Sequence, residues 1–121
     1  MHRASVGTVN VEQARQFALS LPETTEEPHF DMASFRIRGK IFATVPPDEE
    51  HLHVLVDESE ATASAVEDPV AFTELWWGKR LSGVRVTLAD ADIERVSELL
   101  EDAWRQKAPK RVIAAFDGLD P

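Results

Sequence analysis

The run Phe35-Arg36-Ile37-Arg38-Gly39-Lys40-Ile41-Phe42-Ala43 alternates apolar and basic side chains up to a glycine, then resumes with apolar residues. A period of two places successive side chains on opposite faces, which suits a half-buried strand and no helix. Gly39-Lys40 sits where a two-residue type II′ turn wants glycine first. A hairpin with arms Ala33–Arg38 and Ile41–Val45 is therefore expected. In that register Ile37 faces Phe42 and Phe35 faces Thr44, with Arg36 and Arg38 on the other face. Such a hairpin is marginal alone and needs further strands or a helix against its apolar side.

The flanking residues supply both. Asn10 with Gln13 forms a capping pair for a helix to Ser20, with Val11, Ala14, Phe17, Ala18 and Leu21 as its buried stripe and Pro22 as its stop. Glu23 to Pro28 reads as an acidic loop. After the turn at Pro46–Glu50, His51 to Val56 makes a third strand, with Leu52, Val54 and Val56 on one face and His51, His53 and Leu55 on the other. Asp57 and Glu60 start an Ala-rich helix to about Val66, and Asp68-Pro69 adds one more helical turn. Leu75–Trp77 and Leu81–Leu88 form a second hairpin around Gly78-Lys79-Arg80. Asp90 caps a long last helix with the stripe Ile93, Val96, Leu99, Leu100, Ala103 and Trp104, ended by Pro109. Lys110 to Phe116 is a short terminal helix or docked tail. The order is α-β-β-β-α-β-β-α: a two-layer α+β domain whose antiparallel sheet is covered by helices on one face.

A chain of 121 residues has room for one such domain, 1–121. It contains no cysteine, which excludes disulfides, thiolate zinc sites, iron–sulfur clusters and a cysteine nucleophile, and suits a reducing compartment. Met1 to Asn10 has no apolar stretch of the kind a secretory signal needs, and no segment has the roughly 20 apolar residues of a membrane span. A cytoplasmic protein without membrane partners is expected.

Twenty-two acidic against 13 basic side chains give a net charge of −9, which opposes a molecule whose whole surface attracts phosphate. The distribution along the chain is less uniform. Arg36, Arg38 and Lys40; Lys79, Arg80 and Arg85; and Arg105, Lys107, Lys110 and Arg111 make ten of the 13 cations, in three segments that contain no acid. These are either solvated strand faces and helix-dipole partners, or a surface for phosphate. Adjacent on a strand, Trp76 and Trp77 point to opposite faces, so at most one enters the core. The other packs beneath the tail, against Val112 or Phe116, or stacks on a base. His51 and His53 share a strand face at a spacing that suits two metal ligands, but a third must come from elsewhere, and no metal or other cofactor is expected. No phosphate-binding glycine loop and no nucleophile elbow is present, so no catalytic residue is assigned and the chain is not read as an enzyme.

Three stretches carry a resemblance: Leu19-Ser20-Leu21-Pro22-Glu23, the run from Phe35 to Ala43, and Gly78-Lys79-Arg80 before a Val-rich strand. Together they resemble the MmcQ/YjbR family of small bacterial proteins, over about residues 11–108, with 109–121 as a C-terminal tail. The resemblance implies a secretion-chaperone-like α+β fold and a proposed DNA-binding role with two hairpins as wings. The strand His53–Asp57 lacks the lysine many relatives place near its end, and Trp76-Trp77 replaces a more polar stretch.

The resulting expectation is a non-catalytic protein that binds DNA weakly through phosphates. Arg36, Arg38 and Lys40 form one wing, Lys79, Arg80 and Arg85 the other, and Lys110 and Arg111 extend the patch, with Trp76 or Trp77 stacking. The alternatives are a protein-interaction module, with a protein partner or self-association, and after it a small-ligand or metal-binding domain using His51 and His53.

Overall fold

A computed structural model describes residues 8–119, so the expectation for the first residues of the chain lies mostly outside the described part. The elements are α1 (Val11–Ser20), β1 (Thr24–His29), β2 (Met32–Ile37), β3 (Lys40–Val45), β4 (His51–Val54), α2 (Glu58–Glu67), β5 (Phe72–Trp77), β6 (Arg80–Thr87), a short 3₁₀ turn (Leu88–Asp90), α3 (Ile93–Lys107) and α4 (Lys110–Phe116). One antiparallel sheet runs in the order β1-β2-β3-β4-β6-β5. Helix α3 packs on β3 and β4, α2 on β5 and β6, and α1 on α3 and β1.

The core lies between these layers. Leu52, Val54, Val84, Val86, Leu99 and Leu100 are fully buried, while His53 and Leu55 on the opposite face of β4 are half-buried. Trp104 is the largest buried side chain. Its indole N–H donates to the Pro22 carbonyl at 3.0 Å, and its ring meets Phe116 edge-on at 5.1 Å. This contact docks α4 onto α3 at a place the sequence left to Trp76 or Trp77. Asn10 and Gln13 form the expected capping box on α1. Asp68 accepts from the backbone N–H groups of Val70 and Ala71, and its carbonyl accepts from Phe72, closing the single turn read at Asp68-Pro69.

Four local expectations are corrected. Thr24–His29 is a strand, so the sheet has six strands: its glutamates are solvent-exposed on an edge, where charge blocks further pairing. The first turn is Arg38-Gly39, flanked by the pair Ile37 and Lys40. Both turn residues have positive φ, +54° and +81°, the type I′ pattern that matches strand twist. That register pairs Arg36 with Ile41, and a bulge between Phe35 and Arg36 then sets Phe35 opposite Ala43, so Phe42 is the extra residue. The expected pairs Ile37–Phe42 and Phe35–Thr44 do not form, although Phe35, Ile37 and Phe42 all reach the core. Helix α3 is capped by Asp92, since Asp90 ends the 3₁₀ turn. Lastly, the β5–β6 ladder has a bulge in which Ser82 of β6 is the extra residue, between the pairs Leu75–Gly83 and Trp76–Leu81, and neither tryptophan packs beneath the tail: Trp76 and Trp77 are 51% and 55% exposed. Neither is in the core.

Candidate functional site

The ladders dictate where the two hairpins point. Strand β2 runs toward the Arg38-Gly39 turn, β3 runs away, β4 returns, and β6 leaves that same end after the Gly78-Lys79 turn. Both turns therefore project from one end of the sheet, on either side of the end of β4. The lining of two cavities reflects this. One, of about 490 Å³, opens on the helix-free face and is lined by Gly39 of the first turn and Trp77 of the second, with Leu55, His53 and Ile41. The other, also about 490 Å³, lies between the second hairpin and the helices, and brings Arg80 and Ser82 beside Gln106 and Lys107 at the end of α3. Trp77 and Leu55 line both.

The cations separate into two groups. Several are engaged within the protein. Arg36 donates to Ser34 Oγ at 2.9 Å and to the Pro28 carbonyl at 3.3 Å, with Glu27 4.0 Å away. Arg38 donates to Glu23 Oε1 at 2.6 Å; the guanidinium holds that carboxyl below its ordinary range, and the carboxylate in turn raises Arg38. Arg105 donates to Glu101 at 2.9 Å and to both Asp117 oxygens, at 2.9 Å and 2.6 Å, and these bonds raise its pKa. Arg85 lies within 3.1 Å of His53 Nε2. Burial, then the charge of Arg85, pushes the His53 imidazole below its ordinary value, so the ring is neutral at pH 7 and Nε2 accepts from Arg85.

The second group is free. Among the described residues, no carboxylate stands within ion-pair distance of Lys40, Lys79, Arg80, Lys107, Lys110 or Arg111. All but Lys110, which lines none of these hollows, gather at the end where the hairpins project: Lys40 follows Gly39, Lys79 and Arg80 form the second tip, Lys107 shares a cavity with Arg80, and Arg111 shares a surface hollow with Glu23, the partner of Arg38. All three basic segments thus contribute to one end of the molecule. Acids also reach this end: Glu23 is engaged by Arg38, Asp57 and Glu58 at the start of α2 line the cavity of Arg80 and Lys107, and Glu60 and Asp102 lie in a hollow against Asp57 and Gln106. Asp57 is occupied as the helix cap, accepting from the Glu60 N–H at 2.9 Å.

The histidine pair is divided. His51 Nδ1 is 2.8 Å from Asp48, His53 faces Arg85, and among the described residues no three His, Asp or Glu side chains converge as metal ligands. Two further residues contribute to this end beyond the site residues the sequence singles out. Lys107 is legible as the last cation before Pro109, and Leu55 as the residue after His53 on the face away from the core; their convergence with Trp77 depends on tertiary structure.

An α+β protein with one antiparallel sheet and two hairpin tips beside a cationic, partly aromatic end is the class defined by these features. The YjbR family model matches residues 19–106, and the chain belongs to that family. Its fold is also that of the crystal structure of Deinococcus radiodurans protein DR2400, which carries the DUF419 domain. The two share 20% sequence identity and a TM-score of 0.69, over 80% of this chain and 77% of that one. No curated protein matches the chain.

Proposed function

We propose that the cationic end of the sheet binds the phosphate backbone of DNA, and that the protein acts by binding, without chemistry. The observation that carries this reading is the convergence of Lys40, Lys79, Arg80, Lys107 and Arg111, drawn from three separate segments and in no ion pair among the described residues, on the end from which both hairpins project. Lysine and arginine near phosphates release condensed counterions, which makes such binding strongly dependent on salt and tolerant of sequence. The remaining surface is acidic, so the net charge of −9 opposes association and keeps it weak.

Fluorescence anisotropy of labelled DNA across a salt series tests this. The affinity falls with a log–log slope of about −2 to −4, as expected for a few phosphate contacts. The variant Lys40→Glu/Lys79→Glu/Arg80→Glu loses binding at every salt concentration. Absence of binding at low salt, or undiminished binding by that folded variant, would sink the proposal.

A second reading rests on Trp76 and Trp77, two half-exposed tryptophans on the edge strand β5, where a protein partner or a second copy could add to the sheet. A concentration-dependent rise in mass by light scattering, abolished by Trp76→Ser/Trp77→Ser, supports it; a monomer at all concentrations removes self-association.

A further inference from the structure

Trp77 differs from Trp76 in what surrounds it. The Trp76 indole N–H bonds to Glu74 at 3.2 Å, and Trp76 lines neither of the two large cavities at the cationic end. Trp77 lines both, with Leu55 beside it in each, so the two cavities meet at this pair. The cavity toward the helices offers Arg80, Lys107, Ser82 and Gln106 as donors for a phosphate and sugar, beside the carboxylates of Asp57, which caps α2, and Glu58. The cavity on the helix-free face is mainly apolar, lined by Met32, Ile41 and Leu55, and has a few polar groups, Thr44, His29 and His53, suited to the edge of a heterocycle. With Arg85 donating to Nε2, the neutral His53 ring carries its proton on Nδ1.

From this arrangement we infer that the site takes single-stranded DNA in preference to duplex, with an unstacked base laid against Trp77 and its phosphate held by Arg80 and Lys107. The inference depends on the phosphate-binding reading and adds to it the form of the nucleic acid. In a duplex the base faces are covered by their neighbours and only edges are offered to a protein, so an indole has nothing to stack on. In a single strand every base has a free face, and a cationic groove with an aromatic platform is the arrangement that uses it. The strand would cross the end of β4 between the two turns, from the apolar cavity to the cationic one.

The experiment compares a labelled oligothymidine with a labelled duplex of equal length, at fixed salt, on the full chain. Wild type binds the single strand more tightly, and its tryptophan emission is quenched on binding. Trp77→Ala weakens single-strand binding by about tenfold or more and leaves duplex binding unchanged. Trp77→Phe keeps most of the affinity, and Trp76→Ala keeps all of it. Circular dichroism confirms that each variant is folded. Equal or tighter duplex binding overturns the inference and leaves the phosphate reading standing. So does single-strand binding that Trp77→Ala does not reduce, or that Trp76→Ala reduces equally. Failure to bind either probe overturns both readings.

Discussion

Glu23, just before β1, accepts a hydrogen bond at 2.6 Å from Arg38, the first residue of the turn that ends β2. Both residues have positive φ, +60° and +54°, so each occupies a conformation that side chains adopt sparingly. The pair ties the outermost strand to the tip of the first hairpin and withdraws one arginine from the cationic end.

Glu23→Gln should therefore release Arg38 as a ligand for phosphate. Anisotropy on labelled DNA is expected to give tighter binding at low salt and a slope steeper by up to about one counterion. A slope equal to wild type would mean that Arg38 does not reach the bound strand.

Trp104 joins the last two helices to the loop after α1, through Pro22 and Phe116. Truncation to alanine leaves a large cavity and an unpaired Pro22 carbonyl. Urea denaturation of Trp104→Ala should report a loss of about 3–5 kcal/mol. Trp104→Phe, which keeps most of the volume and loses the hydrogen bond, should cost less.

Gly83 sits where β6 passes β4. A Cβ there would collide with the Val54 carbonyl oxygen, backbone that cannot yield without separating the strands. Gly83→Ala should cost more than Gly78→Ala, whose site is open and whose penalty comes only from its φ of +63°. Comparable midpoints for the two variants in thermal denaturation would contradict the close approach.

His53 supplies a pH dependence whose sign is determined. Burial and Arg85 lower its pKa in the folded protein, His51 adds to this, and Asp48 opposes it. The unfolded chain then binds a proton first, starting near the ordinary value of 6.5, so stability falls as the pH drops from about 6.5 toward the folded value. His53→Gln should flatten this part of the stability curve. The carboxylates Glu23, Asp48 and Asp117, all held low, lose their contributions only below the ordinary carboxylate range, so the two effects separate on the pH axis.

Much of this fold was legible because local signals agreed. The Asn10–Gln13 box, the Asp57 and Asp68 caps, the alternation of His51–Val56 and the stripe of α3 each report an element that its own residues stabilise. The errors came where distant partners decide. Thr24–His29 looks like a loop because its exposed glutamates carry no apolar alternation; it is a strand because β2 offers it a ladder. The first turn slipped by one residue because Arg38 accepts a left-handed conformation that a type II′ reading reserves for glycine. At the candidate site, the grouping of cations was visible along the chain, but their engagement was not. Arg38 and Arg105 meet carboxylates 15 and 12 residues away, and Arg36 meets the backbone of β1 at Pro28. The bulge opposite Trp76 falls on β6, where the buried Leu81 and Val84 are out of phase, but the exposure of Trp76 and Trp77 depends on what the rest of the fold leaves uncovered.

Four of the five strand ladders join strands that follow one another directly in sequence. The exception is β4 with β6, where His53 and Arg85 meet across 32 residues. Closing that seam carries the largest loop entropy in the sheet, because α2 and β5 intervene. The molecule is in this sense two locally assembled pieces, a four-strand meander and a hairpin with its helix, welded along a single line. The cationic end, with Trp77 and Leu55 contributed from opposite sides of that line, exists only once the weld is made, so an assembly intermediate lacking this ladder would also lack the site.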